Sequence, residues 1–254
     1  MIVDTHTHIF VSEFDQDRNE VVQRAKEAGI EKFVLPNIDT KSISALKQCV
    51  KDYPGDMLPL MGLHPTSVKE DYQEQLAIIK QELDRGTYYG IGEIGIDLYW
   101  DQTFLREQQE AFQMQLQWAK AKKLPVSIHI REAFDEVFEI IEQEKSPDLF
   151  GIFHCFTGTL EQAQRAIDLN FHLGIGGVVT FKNGKIDKFL NQIPLQNLVA
   201  ETDAPWLSPT PYRGKRNEPA HIIKVIEKLS KIYQMKQEEL ECILYHNSID
   251  IFNL

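Results

Sequence analysis

Ile2-Val3-Asp4-Thr5-His6-Thr7-His8 places two imidazoles, one residue apart, at the end of a short apolar run. In extended chain, residues i and i+2 project to the same side, so His6 and His8 can converge on one point. An imidazole or carboxylate just past an apolar run recurs four more times: Glu93 after Tyr88-Tyr89-Gly90-Ile91, His129 after Val126-Ser127-Ile128, His154 after Gly151-Ile152-Phe153, and Asp203 after Leu198-Val199-Ala200. Taken singly, each has a plainer reading as a loop carboxylate or a core histidine bonded to a backbone carbonyl. As a set they offer imidazole nitrogen and carboxylate oxygen to a borderline divalent metal, which points to a metal-dependent hydrolase.

The runs themselves read as strands of a parallel sheet, because each is followed by a longer segment with apolar residues at helical spacing. Eight strands are predicted: Ile2 to His6, Lys32 to Pro36, Leu58 to Gly62, Tyr88 to Gly92, Pro125 to His129, Gly151 to His154, His172 to Gly174 and Leu198 to Glu201. Helices are predicted at Asp17 to Ala28, Tyr72 to Leu83, Thr103 to Lys122, Arg131 to Glu142, Leu160 to Leu169, Pro219 to Tyr233 and Glu238 to His246, with a weak piece from Lys185 to Phe189. Eight βα units close a (β/α)8 TIM barrel. An open doubly wound sheet competes, but its Gly-rich dinucleotide fingerprint is missing after the first strand, where His6 and His8 stand instead.

At 254 residues the chain has the length of one such barrel, so residues 1–254 are expected to form a single domain. The formal charge of −11 argues against a broad basic surface for holding nucleic acid, although bound cations can reverse the potential inside one pocket. Three cysteines without CxxC spacing disfavour a disulfide framework or a thiolate zinc site. Without a signal-like or membrane-spanning apolar stretch, a soluble cytoplasmic protein with no membrane association is expected, working as a monomer with no obligate protein partner.

Within the predicted barrel, a carboxylate at Glu93 can bridge two cations through its two oxygens. Asp203 ends the last strand and faces the first across the closure, where it can hold a metal and take a proton from water. Asp4, two residues before His6, is expected to buttress His8 or His129, and His64 is expected to contact substrate or orient a ligand without binding metal itself. Arg131, following His129, and the compact stretch Arg213, Lys215, Arg216 and Asn217 can meet phosphate. Trp206, beside Asp203, and Tyr99-Trp100 can stack on unpaired bases or simply pack the rim.

These pieces together carry a family signature. Asp4-Thr5-His6-Thr7-His8, Gly62-Leu63-His64-Pro65, Gly90-Ile91-Gly92-Glu93-Ile94-Gly95-Ile96-Asp97, Pro125-Val126-Ser127-Ile128-His129, His154-Cys155-Phe156-Thr157-Gly158, Glu201-Thr202-Asp203-Ala204-Pro205-Trp206-Leu207 and Arg213-Gly214-Lys215-Arg216-Asn217-Glu218-Pro219 occur in order along the chain. The chain resembles the TatD-like metal-dependent deoxyribonucleases of the amidohydrolase-type barrel superfamily. The resemblance implies two divalent ions, magnesium, manganese or zinc, one held by His6, His8, Glu93 and Asp203 and the other by Glu93, His129 and His154. It also associates His64 and the Arg213 to Asn217 loop with substrate, and implies hydrolysis of DNA from the 3′ end of single strands. Asp250 stands where relatives often carry a basic residue, in a segment expected only to dock the last helix. Two other readings remain: an amidohydrolase acting on a small ester, lactone or amide, and, more distantly, a non-catalytic metal-binding protein.

Overall fold

The apolar runs do become strands, and all their pairings are parallel in the computed structural model, which describes residues 1–254. One ladder joins β1 (Ile2–Asp4), β2 (Ile30–Pro36) and β3 (Met57–Leu60). The other joins β4 (Ile91–Asp97), β5 (Val126–Arg131), β6 (Gly151–Phe153), β7 (Phe171–Ile175) and β8 (Leu198–Ala200). Backbone hydrogen bonds stitch the two ladders at both seams. Between β3 and β4, Tyr89 N–H donates to Pro59 O at 2.9 Å and Met61 N–H to Gly90 O at 3.2 Å. Between β8 and β1, Thr5 N–H donates to Ala200 O at 3.2 Å and Asp203 N–H to His6 O at 2.9 Å. The result is the α/β barrel that the sequence predicts.

Eight α-helices surround the strands: α1 (Arg18–Glu27), α2 (Ile43–Asp52), α3 (Tyr72–Arg85), α4 (Leu105–Lys122), α5 (Phe134–Gln143), α6 (Leu160–Asp168), α7 (Ile222–Tyr233) and α8 (Gln237–Phe252). No helix is long and apolar enough to cross a membrane. Their apolar stripes pack on the outer face of the barrel, where Phe33, Phe112, Phe138, Phe153 and Phe171 are all fully buried. A smaller apolar cluster gathers Val3, Val34, Leu58, Ile152 and Val199 from the strands with Ile251 and Phe252 at the end of α8. The last helix thus plugs the barrel at the end where the strands begin, and the polar strand ends open at the other.

Several boundaries differ from the sequence reading, most consequentially at β4, β5 and α5. The fourth strand starts at Ile91 and runs to Asp97, so Glu93 lies inside a strand rather than beyond one. Gly95 allows this: a Cβ there would sit 2.0 Å from His129 O, so only glycine lets the strand run so close to β5. The fifth strand continues through Arg131, and Glu132 turns into the left-handed region at φ 55, so α5 begins only at Phe134. The helix α2 was not anticipated, and the segment from Lys185 to Phe189 is a short 3-10 turn at Ile186–Lys188.

Candidate metal centre

The strand ends bring His6, His8, Glu93, His129, His154 and Asp203 to one mouth of the barrel, together with His64. All seven are buried or nearly so, His129 and His64 being the most accessible of them. Two groups of donor atoms form around the two oxygens of Glu93. Its Oε2 lies 3.2 Å from His6 Nε2 and 3.3 Å from His8 Nε2, and those two nitrogens are 3.1 Å apart. Asp203 Oδ1 closes this group at 3.7 Å from His8 Nε2 and 4.0 Å from His6 Nε2. Glu93 Oε1 faces His129 Nδ1 at 2.9 Å, His64 Nε2 at 3.3 Å and His154 Nε2 at 3.8 Å. His154 Nε2 is also 3.9 Å from Asp203 Oδ1, so it stands between the groups.

These separations suit cations. With metal bonds of about 2.0 to 2.2 Å, donors of one ion lie roughly 3 to 3.5 Å apart. The far sides of the rings add a second argument, because a metal-binding histidine characteristically has its other nitrogen held by an outer partner. His6 Nδ1 is 3.0 Å from Ser127 Oγ, His154 Nδ1 is 2.9 Å from Glu201 Oε1, and His129 Nε2 is 2.9 Å from Asp97 Oδ2. In each case the remaining nitrogen points into the cluster. His8 Nδ1 is buried with no partner of this kind, and His154 Nδ1 meets Glu201 as a close ion pair rather than through an aligned hydrogen bond.

The backbone holds the ligands' positions as well. Asp203 sits at φ 57, a left-handed conformation that aspartate tolerates better than most residues. Glu201 is packed against Gly174, where a Cβ would come within 2.2 Å of its Oε2, and it accepts a hydrogen bond from Cys155 N–H at 2.6 Å. Asp97 Oδ1 accepts from Tyr99 N–H and Trp100 N–H at 3.0 and 3.1 Å while Oδ2 faces His129, so one carboxylate fixes both a ring and the loop beyond it.

The same geometry sets the charges. Burial alone would raise the Glu93 carboxyl, but His64, His6, His129 and His154 outweigh it and hold the group well below its usual range. Burial opposes charge on His154, yet the carboxylate of Glu201, with Glu93 and Asp203 behind it, pushes the imidazolium up to about 10. His6 goes the other way, held well below its ordinary value by burial and by the neighbouring His154. Asp203 is raised to about 6 by burial, against the pull of His154 and His8.

A proton therefore resides on His154 near neutral pH when no cation is present, and a cation can take that ring only in its neutral form. Metal loading is expected to release this proton, with apparent affinity rising as pH rises toward 10. Calorimetry of zinc or manganese titrations in two buffers of different ionisation enthalpy checks it; equal heats in both buffers would contradict the expectation. In Glu201→Gln the released proton should largely vanish, since the charge that retains it is gone. Metal affinity should also fall, by about 10- to 100-fold, because the ring loses its orienting partner.

Several sequence-derived assignments change. Asp4 does not reach His8 or His129; its Oδ1 accepts from Thr202 N–H at 3.0 Å and its carboxylate takes the Thr202 hydroxyl at 2.6 Å, clamping the residue before Asp203. His64, expected outside the ligand set, is drawn among the donors because the bend after β3 aims its Nε2 at Glu93. Arg216 turns away from the mouth. Asp17, at the start of α1, accepts both its terminal nitrogens at 2.8 and 2.6 Å, and Phe14 lies beneath the guanidinium. Asn217 is fully buried and donates to Thr202 O at 2.8 Å, which makes it an anchor of its loop.

Arg213 and Lys215 do face the mouth, as do Arg131 and the half-exposed Trp206, whose ring meets His8 edge-on at 5.0 Å. The cavity above the cluster measures about 810 Å³. Sequence reasoning overlooked Asp97, Glu201 and Ser127 as partners of the histidines. Glu201 was within reach, since in extended chain it shares a side with Asp203 two residues on.

Histidines and carboxylates gathered at the strand ends of an α/β barrel, with outer partners for their rings, define a metal-dependent hydrolase. The chain belongs to the TatD family: the model of TatD related DNases matches residues 3–253. It is 36% identical over 255 residues to the uncharacterized metal-dependent hydrolase YabD of Bacillus subtilis, covering 100% of both chains. With the uncharacterized metal-dependent hydrolase YjjV of Escherichia coli it shares 29% over 255 residues, 99% of this chain and 98% of that one. The crystal structure of YjjV, a TatD homologue, superposes with a TM-score of 0.93 over 100% of this chain and 98% of that one, at 28% identity. A TatD-family hydrolase from Entamoeba histolytica, 19% identical, agrees in fold with a TM-score of 0.84, covering 98% of this chain and 97% of that one.

Proposed function

We propose that the protein is a metal-dependent deoxyribonuclease that removes nucleotides from the 3′ end of single-stranded DNA, acting as a monomer with two divalent ions. The observation that carries this reading is the cavity mouth: Arg131, Arg213 and Lys215 converge over a carboxylate-histidine floor in a chain whose net charge is −11. A small neutral ester or lactone has no use for three cations at the entrance. A phosphodiester does, because guanidinium and ammonium groups match its charge and its oxygens.

In this reading His6, His8, Asp203 and Glu93 would hold one ion and Glu93, His129 and His154 the other, with His64 beside Glu93. Bound there, magnesium, manganese or zinc would supply Lewis acidity toward water and the phosphate. The protein's own groups do the rest. Arg213 and Lys215 orient the phosphate from the rim. Arg213 is steadied for this by its hydrogen bond to Ser208 O at 3.1 Å and by Phe181, 3.7 Å below its guanidinium. Asp203 accepts a proton from the attacking water as the new P–O bond forms; the ester P–O bond breaks, and the leaving sugar oxygen takes up a proton from solvent and departs as a hydroxyl. Without a cation, burial raises this carboxyl to about 6, so it is ionised at neutral pH and able to meet both a cation and the attacking water.

The test is incubation of the metal-loaded protein with end-labelled single- and double-stranded DNA beside a panel of esters and lactones. Stepwise shortening from the 3′ end, lost in Asp203→Asn, is the expected result. Turnover of a carbonyl compound with intact DNA would move the assignment to a small-molecule amidohydrolase.

A further inference from the structure

The loop after β4 carries the two most exposed large aromatic residues beside the site: Trp100 is 69% and Tyr99 50% accessible. Such exposure wastes apolar surface unless something covers it, yet this loop is not loosely held. Asp97 Oδ1 accepts both their backbone N–H groups, and the rings meet edge-to-face at 4.9 Å and 86°. Arg131, at the end of the adjacent strand, lays its guanidinium 3.8 Å from the Tyr99 ring and 5.3 Å from that of Trp100. Arg131 and Trp100 line the same cavity as Glu93 and Asp203. They stand on the β4–β5 side, whereas Arg213, Lys215 and Trp206 follow β8.

We propose that Trp100, braced by Tyr99 and Arg131, is a stacking platform for an unpaired nucleobase next to the phosphate being cleaved. This rests on the nuclease reading above and refines it. An indole face flanked by a guanidinium offers a base π-stacking together with cation–π attraction, without reading its identity. The placement divides the mouth into two halves. Arg213 and Lys215 would take backbone charge on one wall, and the platform would take a base on the other. Asp97 links that platform to the floor, since its other oxygen orients His129.

The platform requires a base, so an abasic end is the discriminating ligand. Metal-loaded Asp203→Asn protein, whose turnover is slow against the binding measurement, is titrated with short single-stranded oligonucleotides carrying either a thymine or an abasic site at the 3′-terminal positions. Anisotropy of a label at the far end reports binding. The expected result is about tenfold tighter binding of the base-bearing strand. Adding Trp100→Ala should reduce the two affinities to near equality, and Trp100→Phe, which keeps a π face, should restore most of the difference. Equal loss for both strands in Trp100→Ala would mean a merely structural ring and overturn the platform, as would an undiminished preference. Failure of the nuclease reading looks different: neither strand binds even with Trp100 present, and the wild-type protein leaves DNA intact, which removes the platform's ligand as well.

Discussion

Glu93→Gln is expected to lower turnover by more than the roughly 100-fold seen when a metal ligand loses only an outer partner, and to leave the protein with at most one tightly held ion. The reason is the division of labour between the two carboxylate oxygens. Oε2 faces His6 and His8 at 3.2 and 3.3 Å, and Oε1 faces His129 at 2.9 Å. An amide keeps the size but presents oxygen to only one of these groups. Its NH2 then points at the other group, occupying a donor position with hydrogens that repel a cation. Glutamine also removes a negative charge placed among five imidazoles. Aspartate keeps that charge but is a methylene too short to serve both sides, so Glu93→Asp should retain one ion and a small residual activity. Elemental analysis after gel filtration, paired with turnover on the substrate identified above, decides the matter. Two ions per chain and activity within tenfold of wild type in Glu93→Gln would rule out a shared bridging carboxylate.

How far the fold could be read in advance depended on how local its signals are. Strands such as Val126–Arg131 and Phe171–Ile175 are short β-branched or aromatic runs, and their existence was plain. The strand Ile91–Asp97 was displaced because Gly92 and Gly95 interrupt it, and glycine weakens a strand pattern. What rescues it is tertiary: β5 passes so close that no side chain fits at Gly95, a fact written in two distant segments together. The helix Ile43–Asp52 escaped notice because its buried face is Ile43, Leu46 and Cys49. That stripe appears only when cysteine is counted among the apolar residues, and it follows a polar loop with no strong capping signal.

In the site the same distinction holds between position and partner. His6, His8, Glu93, His129, His154 and Asp203 were legible because strand ends of a barrel all face one mouth. Which carboxylate orients which ring was not, because that depends on the register between neighbouring strands. Asp97 meets His129 because β4 pairs with β5 so that Gly95 lies beside His129 and Asp97 beside Arg131. Likewise, the basic composition of Arg213-Gly214-Lys215-Arg216-Asn217 was visible, but not its direction. Arg216 leaves the mouth because α1, almost two hundred residues away in sequence, offers Asp17 as a bidentate partner.

Asp203→Asn provides the second large effect, and it acts on activity and stability in opposite directions. Asparagine fits the left-handed backbone at φ 57 and keeps an oxygen for a cation, but it cannot accept a proton from water. Turnover is expected to fall by about 10²- to 10⁴-fold while bound metal is largely kept. In the wild type the rate should fall on the acid side as Asp203 becomes protonated, at or below pH about 6. That limb should be absent from the residual activity of the variant. Stability of the metal-free protein goes the other way. Burial raises the Asp203 carboxyl from 3.8 to about 6, so the folded chain binds its proton more tightly than the unfolded chain does. Ionisation then costs nothing below the unfolded value, costs progressively more between 3.8 and about 6, and reaches a plateau above that. A shift of this size corresponds to about 3 kcal/mol, which Asp203→Asn should recover at neutral pH and not at pH below the unfolded value. Urea unfolding of the metal-free wild type and variant across this range tests the sign. A variant less stable than wild type at neutral pH, or a gain that persists unchanged in acid, would show that the buried charge at Asp203 is not the origin of the cost. A carboxylate kept at the expense of the fold that carries it is what a working base in a buried site requires.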